Sequence, residues 1–346
     1  MSDLISEMNV RSIDVFITSR CGLRCSHCFV GEDLNLSVDM DFDLFKRLVQ
    51  TAALWNTKEI TFLGGEPTMY PRFVEAVEFS QAHGFRTRIV TNGHTSYGKF
   101  LDDASQPSVP FVCFSIDGST EAVHDRIRGK GSFKILVENI QRSIREGIRI
   151  GGIVSLSRQN AFDIEGILEL CDKFQFEYVN VHYVTNRGFA SSEVVMSVHE
   201  WNQVYSRIVN LSKHIKPELR VERTFFGAGE VQLKCAVVEK SNLMFYPDGR
   251  VYMCMMFIDR PASHSFVWTL DGLKRNESRT SEQEIVKTTT EVGCPAMHYV
   301  NDEIEREAVE NKQFIQCIYA KERLKRSLDR HDSIAGINFE NISRLN

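Results

Sequence analysis

Over roughly its first 185 residues the chain alternates strand-like and helix-like segments, and that alternation restricts the fold more than any other feature. Runs rich in β-branched and aromatic residues occur at Ser12–Thr18, Glu59–Leu63, Phe85–Thr91, Pro110–Ile116, Ile148–Leu156 and Tyr178–Val184. Between them lie patterns of helical period. Phe42, Phe45, Leu48, Val49, Ala52 and Trp55 form one such face. A second stretch opens at Pro71 and stops near Gly84. Phe133, Leu136, Val137, Ile140 and Ile144 form a third, ending at Gly147. About six β-α units of about 30 residues each fit this span. Such alternation predicts a parallel sheet covered by helices, and the number of units is too small for a closed barrel. The expected class is therefore α/β, an incomplete barrel.

Beyond this run the texture changes. Gly188 to Ser197 is a polar connection, followed by a helical pattern from His199 to about His214. From Val221 to Val300 short strands and turns predominate, which predicts a second, smaller domain. Tyr246-Pro247-Asp248-Gly249 is a hairpin signal between Leu243–Phe245 and Val251–Met253. Lys274–Thr290 reads as a polar loop. From Asp302 to Arg330 the chain is charged, with Ile304, Ala308, Ile315, Ile318 and Leu324 at roughly helical spacing. The expected organisation is a barrel over 1–190, a linker helix over 191–220, a small α+β domain over 221–300 and a helical tail over 301–346.

The cysteines carry the chemistry. There are nine, and the N-terminal residues lack the apolar core of a secretion signal. A disulfide framework is not expected in a reducing compartment, so clustered thiols point to metal or redox chemistry. Composition agrees with a cytoplasmic globular chain: 42% hydrophobic, 25% charged, net charge −5. There is no basic footprint for nucleic acid and no apolar run near the ~20 residues that span a bilayer. Cys21-Gly-Leu-Arg-Cys25-Ser-His-Cys28 follows the first strand directly. Its C-x3-C-x2-C spacing offers three thiolates to a 4Fe-4S cube and leaves one iron open to a small molecule. Zinc is the alternative, but zinc usually takes paired C-x2-C knuckles and a fourth ligand, and His27 is too near its neighbours to supply it easily. Cys113, in a strand, and Cys171, in a helix, read as small core residues.

This spacing after a first strand resembles the signature of radical S-adenosylmethionine (radical SAM) enzymes, and the resemblance extends along the chain. Gly64-Gly65-Glu66-Pro67 closes the second strand, Thr91-Asn92-Gly93 the third, and Ser115-Ile116-Asp117-Gly118 the fourth, followed by His124-Asp125-Arg126-Ile127-Arg128-Gly129. The family's fold is a partial TIM-like barrel with its active face at the strand ends. The resemblance implies that Cys21, Cys25 and Cys28 bind the cluster and that S-adenosylmethionine (SAM) chelates the open iron. It implies that Gly64, Gly65, Glu66 and Asn92 approach the methionine end, that Ser115 contacts SAM, and that Arg128 pairs with the methionine carboxylate. His27 would lie beside the adenine. Glu66 has capping of the following turn as its other reading, and Arg128 and His27 have solvated surface roles as theirs.

Cys235…Gly249-Arg-Val-Tyr-Met-Cys254 has the spacing C-x13-G-x4-C. It resembles the opening of Twitch and SPASM extensions, which carry auxiliary 4Fe-4S clusters. Cys294 follows in Gly-Cys-Pro-Ala-Met-His, where Met297 and His298 stand at and after the position of the usual second cysteine. With too few cysteines for two full clusters, one auxiliary cluster is expected on Cys235, Cys254 and Cys294, with Cys317 of the tail as the fourth ligand or that position open. Met255 follows Cys254 where SPASM sulfatase-maturing enzymes carry an aspartate base. Tyr183, His182, Glu230 and His298 are further polar candidates tied to no motif. The expected activity is reductive cleavage of SAM to a 5′-deoxyadenosyl radical that takes a substrate hydrogen atom, with electrons from a donor such as flavodoxin or ferredoxin. The expected substrate is a small metabolite (sugar, aminoglycoside or nucleoside) undergoing oxidation, epimerisation or rearrangement. The alternatives are a maturase of ribosomally made peptides and a non-enzymatic metal-stabilised binding protein. About 11 residues precede the first strand, so no N-terminal leader-binding domain is expected.

Overall fold

The computed structural model describes residues 10–104, 109–227, 235–239, 242–278, 280–285, 294, 296, 306–308, 310–315, 317 and 321–325. Six strands fall where the apolar pattern placed them: β1 (Ser12–Thr18), β2 (Glu59–Gly64), β3 (Arg86–Thr91), β4 (Phe111–Ser115), β5 (Ile150–Leu156) and β6 (Tyr178–Tyr183). They pair in parallel in sequence order. The helices between them are α1 (Phe42–Leu54), α2 (Phe73–Ala82), α3 (Thr95–Asp103), α4 (Glu121–Arg128), α5 (Ser132–Arg145) and α6 (Ile164–Lys173). The sheet is open, as expected of an incomplete barrel.

Alternation within the strands separates two faces. In β5 and β6, Val154, Leu156, Val179 and Val181 are fully buried under the helices, whereas Ile153, Ser155, Asn180 and His182 are only partly covered. The second set therefore lines an open inner face. Cys113 and Cys171 are fully buried, as expected of core residues.

Past residue 190 the structure corrects several expectations. The span 191–220 is more than a linker helix. It holds α7 (Val198–Leu211), started by a Ser197–Glu200 capping box, and the first residues of β7 (Glu218–Glu222), which extends the sheet beside β6. The segment expected as a separate small domain adds to the same sheet. β9 (Leu243–Phe245) lies parallel to β1, and β10 (Arg250–Tyr252), β11 (Phe266–Thr269) and β12 (Gly272–Arg275) follow antiparallel, giving twelve strands among the described residues with β14 (Lys321–Leu324) at the far edge. A strand run of three residues cannot bury its apolar face alone and takes the free edge of β1 instead. The earlier strand β8 (Phe225–Gly227) belongs to a small second sheet.

Lys274–Thr290 is not wholly loop: α9 (Glu282–Ile285) lies within it, as the short α8 (Ala236–Glu239) lies before β9. The tail is not simply helical either. β13 (Gln313–Ile315) pairs with β8, and β14 (Lys321–Leu324) pairs antiparallel with β7. Edge strands with unpaired N–H and C=O groups captured residues whose own spacing favoured a helix. Glu230, Met297 and His298 lie outside the described residues. No helix among the described residues is long and apolar enough to cross a membrane.

An aromatic cluster locks the added strands onto the barrel. Phe245 of β9 stacks on Trp55 behind α1 at 6.2 Å, and both meet Trp268 of β11, at 5.8 and 6.3 Å. Trp268 Nε1 donates to Leu44 O of α1 at 3.2 Å. Replacing Phe245 by Ala empties a fully buried site and should cost about 3–5 kcal/mol. Urea denaturation followed by tryptophan fluorescence measures it. A loss below about 1 kcal/mol would mean that the barrel does not depend on this contact.

Candidate functional site

The cysteine loop leaves the C-terminal end of β1, and the ends of β2 to β5 surround it. Two glycines set the first contact. A Cβ on Gly64 would stand 2.3 Å from Thr18 O, and one on Gly65 2.4 Å from Arg20 O. Only glycine permits that approach, and it lets Gly65 N donate to Thr18 O at 2.9 Å and Glu66 N to Arg20 O at 2.7 Å. Glu66 is buried. Its Oε1 accepts from Thr68 N (3.2 Å), Thr68 Oγ1 (2.7 Å) and Thr91 Oγ1 (2.8 Å), and its Oε2 from Asn92 N (2.8 Å). Glu66 thus caps the turn after β2 and ties it to the end of β3. Asn92 Nδ2 in turn lies 3.9 Å from Cys21 Sγ.

A buried charge cluster forms the opposite wall. Asp117, fully enclosed after β4, accepts Arg128 Nε at 2.6 Å on Oδ2, with His27 Nε2 at 3.3 Å from the same oxygen. Its Oδ1 accepts Ser155 N at 2.8 Å, and its backbone N donates to His124 Nδ1 at 3.3 Å. Burial works against the Asp117 carboxylate, but Arg128, His27 and the Ser155 N–H outweigh it and hold its pKa below the usual value. Burial lowers the His27 pKa, against the pull of Asp117. Arg128 Nη1 points to Cys25 Sγ at 3.9 Å. Ser115 is buried at the end of β4 beside this cluster. Asp117 stood within a quoted motif but was assigned no role from sequence; its depth in the site decides it.

Cys21, Cys25 and Cys28 are partly exposed on their loop. Burial on the protein side pushes the Cys21 thiol up to about 12 and raises Cys25 and Cys28 as well. Such thiols do not ionise alone at neutral pH; a bound metal offsets that cost. Among the described residues no three His, Cys, Asp or Glu side chains converge as the ligands of one ion must. A 4Fe-4S cube has no such need, since each thiolate takes its own iron. The donor set fits a cluster: three thiols on one loop, with a guanidinium beside the middle one.

On the open inner face stands a chain of polar groups that the sequence did not connect. His182 Nδ1 lies 2.6 Å from Glu222 Oε1, Tyr183 N donates to Glu222 Oε2 at 2.9 Å, and Lys321 Nζ reaches His182 Nε2 at 3.2 Å. Glu222 comes from β7 and Lys321 from β14, opposite each other in register. Deeper in the barrel, Asp14 of β1 faces Arg88 and Lys321.

Cys254 ends the β10 strand region and is buried, as are Cys294 and Cys317. Burial first, then the nearby Glu282 carboxyl and the thiols of Cys294 and Cys317, push the Cys254 thiol well up. Cys294 and Cys317 therefore both lie within electrostatic reach of Cys254. Cys317 arrives between two strands rather than on the expected helix, and Cys294 N donates to Ile315 O at 2.9 Å. Cys235, half-buried, precedes α8, which packs near α9. From α9, Glu282 accepts Met253 N (2.8 Å), Cys254 N (2.8 Å) and Ser265 Oγ (2.7 Å), and burial pushes its carboxyl up to about 8.

Residues 15–171 match the model of the Radical SAM superfamily. This stretch is a radical SAM domain. Across 203 residues the chain is 27% identical to Fe-coproporphyrin III synthase of Methanosarcina barkeri, covering 58% of this chain and 51% of that protein. Across 161 residues it is 26% identical to the mycofactocin maturase MftC of Mycobacterium tuberculosis, covering 46% and 41%. The chain thus spans about half the length of these curated relatives, or less. The structure of Streptococcus suis SuiB bound to its precursor peptide SuiA superposes with a TM-score of 0.61 over 72% of this chain and 61% of that one, at 13% identity. At that identity the likeness shows the fold, a partial barrel of the radical SAM type.

Burial pushes the Asp14 carboxyl from 3.8 up to about 6, against the pull of Arg88. A raised carboxyl costs stability once it ionises: the cost is absent below the unfolded value and complete above the folded one. Asp14→Asn should therefore stabilise the protein by roughly 1–3 kcal/mol near pH 7 and not at all near pH 4. Melting temperatures of both proteins across that range test it; a difference independent of pH would contradict it.

Proposed function

We propose that this chain is an enzyme that holds a 4Fe-4S cluster on Cys21, Cys25 and Cys28, with SAM on the open iron. The observation that carries the proposal is the three-thiol loop at the end of β1, walled by the turns after β2, β3 and β4. When bound, cluster and SAM supply a 5′-deoxyadenosyl radical for hydrogen-atom abstraction. The protein's part is positioning. Glu66 holds the Gly64-Gly65 turn and the Asn92 backbone in one arrangement, and these present their polar groups to the methionine end. Asp117 fixes Arg128 beside Cys25, where the guanidinium offsets thiolate charge and faces the methionine carboxylate. Ser115 and His27 complete the cradle.

The proposed substrate is a small metabolite undergoing oxidation, epimerisation or rearrangement. The His182–Glu222–Lys321 chain on the inner face supports it, because a compact polar substrate needs such groups. The Methanosarcina relative is named for making Fe-coproporphyrin III, also a small molecule. A second reading, modification of a ribosomally made peptide, is favoured by the likeness to MftC and to peptide-bound SuiB. An auxiliary 4Fe-4S cluster is proposed on Cys235, Cys254, Cys294 and Cys317. The electrostatic reach of Cys317 to Cys254 supports Cys317 as a ligand. Electrons would come from a donor such as flavodoxin or ferredoxin.

Anaerobically reconstituted protein should bind about eight irons, and replacing Cys21, Cys25 and Cys28 by Ala should leave about four. With dithionite, the wild type should release 5′-deoxyadenosine from SAM and Cys25→Ala none; turnover by that variant would refute the assignment. Cys317→Ala should alter the auxiliary cluster's electron paramagnetic resonance (EPR) signal. An unaltered signal would place Cys317 outside the ligand set.

A further inference from the structure

Two contacts from the segment around Cys254 brace the cysteine loop, one on Asp33 of the chain after Cys28 and one on Gly188, which packs against that chain. On one side, Arg250 of β10 places Nη2 2.7 Å from Asp33 Oδ2, a pair separated by 217 positions in sequence. Only 12% and 15% of these side chains are exposed. The guanidinium is aimed by Asp248 Oδ2 at 2.6 Å and the Tyr252 hydroxyl at 2.9 Å. On the other side, Asp259 pairs with Arg187 through Oδ1, while its Oδ2 accepts Gly188 N at 3.1 Å.

Gly188 lies directly on the cysteine loop. Phe189 N donates to Cys28 O at 2.9 Å. A Cβ on Gly188 would stand 2.1 Å from that same carbonyl oxygen, and the residue has φ +59°. Across the gap, Gly31 has φ +61°, and a Cβ there would meet Gly188 Cα at 2.8 Å. The two backbones therefore cross more closely than side chains allow. Asp259 holds this crossing from outside.

Each cysteine of the trio has a different neighbour. Cys21 has Asn92, and Cys25 has Arg128 with Asp117 behind it, all from the barrel. The chain beyond Cys28 is held at its far end by β1, where Ser19 N donates to Val38 O at 2.8 Å and Met40 N to Ile17 O at 2.9 Å. Its near end, Cys28 to Asp33, takes the contacts from Gly188, Phe189 and Arg250, and Asp259 in turn holds Gly188.

We propose that Arg250 and Asp259 are positioning residues for Cys28, so that the segment carrying Cys254 clamps the third cysteine of the N-terminal trio. The proposal rests on the assignment of Cys21, Cys25 and Cys28 as cluster ligands. A cube accepts its thiolates only with all three sulfurs in place at once, so one loose cysteine reduces occupancy of the whole site. Both ion pairs are largely shielded from water, and removing one partner strands the other. Integrity of the N-terminal cluster then depends on residues outside the radical SAM domain.

The test uses the full chain, reconstituted anaerobically with iron and sulfide and reduced with dithionite. EPR spectra are recorded with and without SAM, and SAM affinity is measured by equilibrium dialysis. In the wild type, part of the signal should shift on adding SAM. Asp259→Ala and Arg250→Ala should each lower that SAM-responsive fraction and weaken SAM binding by about tenfold. Asp259→Asn, which keeps an acceptor for Gly188 N but loses the ion pair, should fall between. Gly188→Ala, which pushes directly on Cys28 O, should lose the responsive signal. Wild-type spectra and SAM affinity in both alanine variants would overturn the proposal. If either fails to fold by circular dichroism, Asp259→Asn and Arg250→Lys take its place, and wild-type behaviour in these two is equally decisive. Failure of the underlying assignment looks different: the wild type itself would lack a SAM-responsive signal, or Cys25→Ala would keep it.

Discussion

Both main-chain edges of β1 are occupied by parallel partners, and the rest of the molecule is arranged around that fact. Ser12 to Thr18 pair with β2 on one side, and Ile13 to Val15 pair with β9 on the other. The first pairing starts the barrel; the second attaches the hairpin that delivers Cys254. Because the cysteine loop leaves the end of this same strand, that loop and the hairpin leading to Cys254 extend from one continuous sheet. Trp55, Phe245 and Trp268 seal the joint with apolar area that no short hairpin could bury by itself.

Buried carboxylates recur where these strands end. Glu66 takes the N–H of Asn92, Asp117 that of Ser155, Glu222 that of Tyr183, and Glu282 those of Met253 and Cys254. Strand ends leave N–H groups without ladder partners, and an enclosed acceptor satisfies them. The same carboxylate then fixes a neighbour with chemistry: Arg128 through Asp117, His182 through Glu222, the Cys254 backbone through Glu282. Ionising each carboxyl is costly in a low-dielectric interior, and the group is retained where it orders a functional part of the chain.

The barrel strands and three of the helices covering them (α1, α2 and α5) were legible in the sequence to within a residue or two, because parallel strands buried beneath helices carry dense apolar runs. The motif residues Gly64, Gly65, Glu66, Asn92 and Ser115 were placed at strand ends and stand there, while Arg128 closes α4. The structure adds that Gly64 and Gly65 are required by the chain at Thr18 to Arg20, and that Glu66 caps a turn. Asp117 was visible as a letter but not as a centre, since nothing local shows that Arg128, His27 and the Ser155 N–H converge on it.

The C-terminal part was read less well, and the reason is physical. Strands of three or four residues carry too little pattern to distinguish a sheet extension from a separate domain, and the choice depends on a free edge elsewhere. Lys321 to Leu324 become a strand because β7 offers them one, although their spacing also suits a helix. By itself the sequence determined the β-α alternation, the cysteine spacing and the motifs at the strand ends, all properties of short stretches of chain. Tertiary structure alone decided that β9 joins β1, that Lys321 reaches His182, that Arg250 closes on Asp33 and that Asp259 holds Gly188 against Cys28. Those contacts join residues tens to hundreds of positions apart, and only a common sheet brings them within bonding distance.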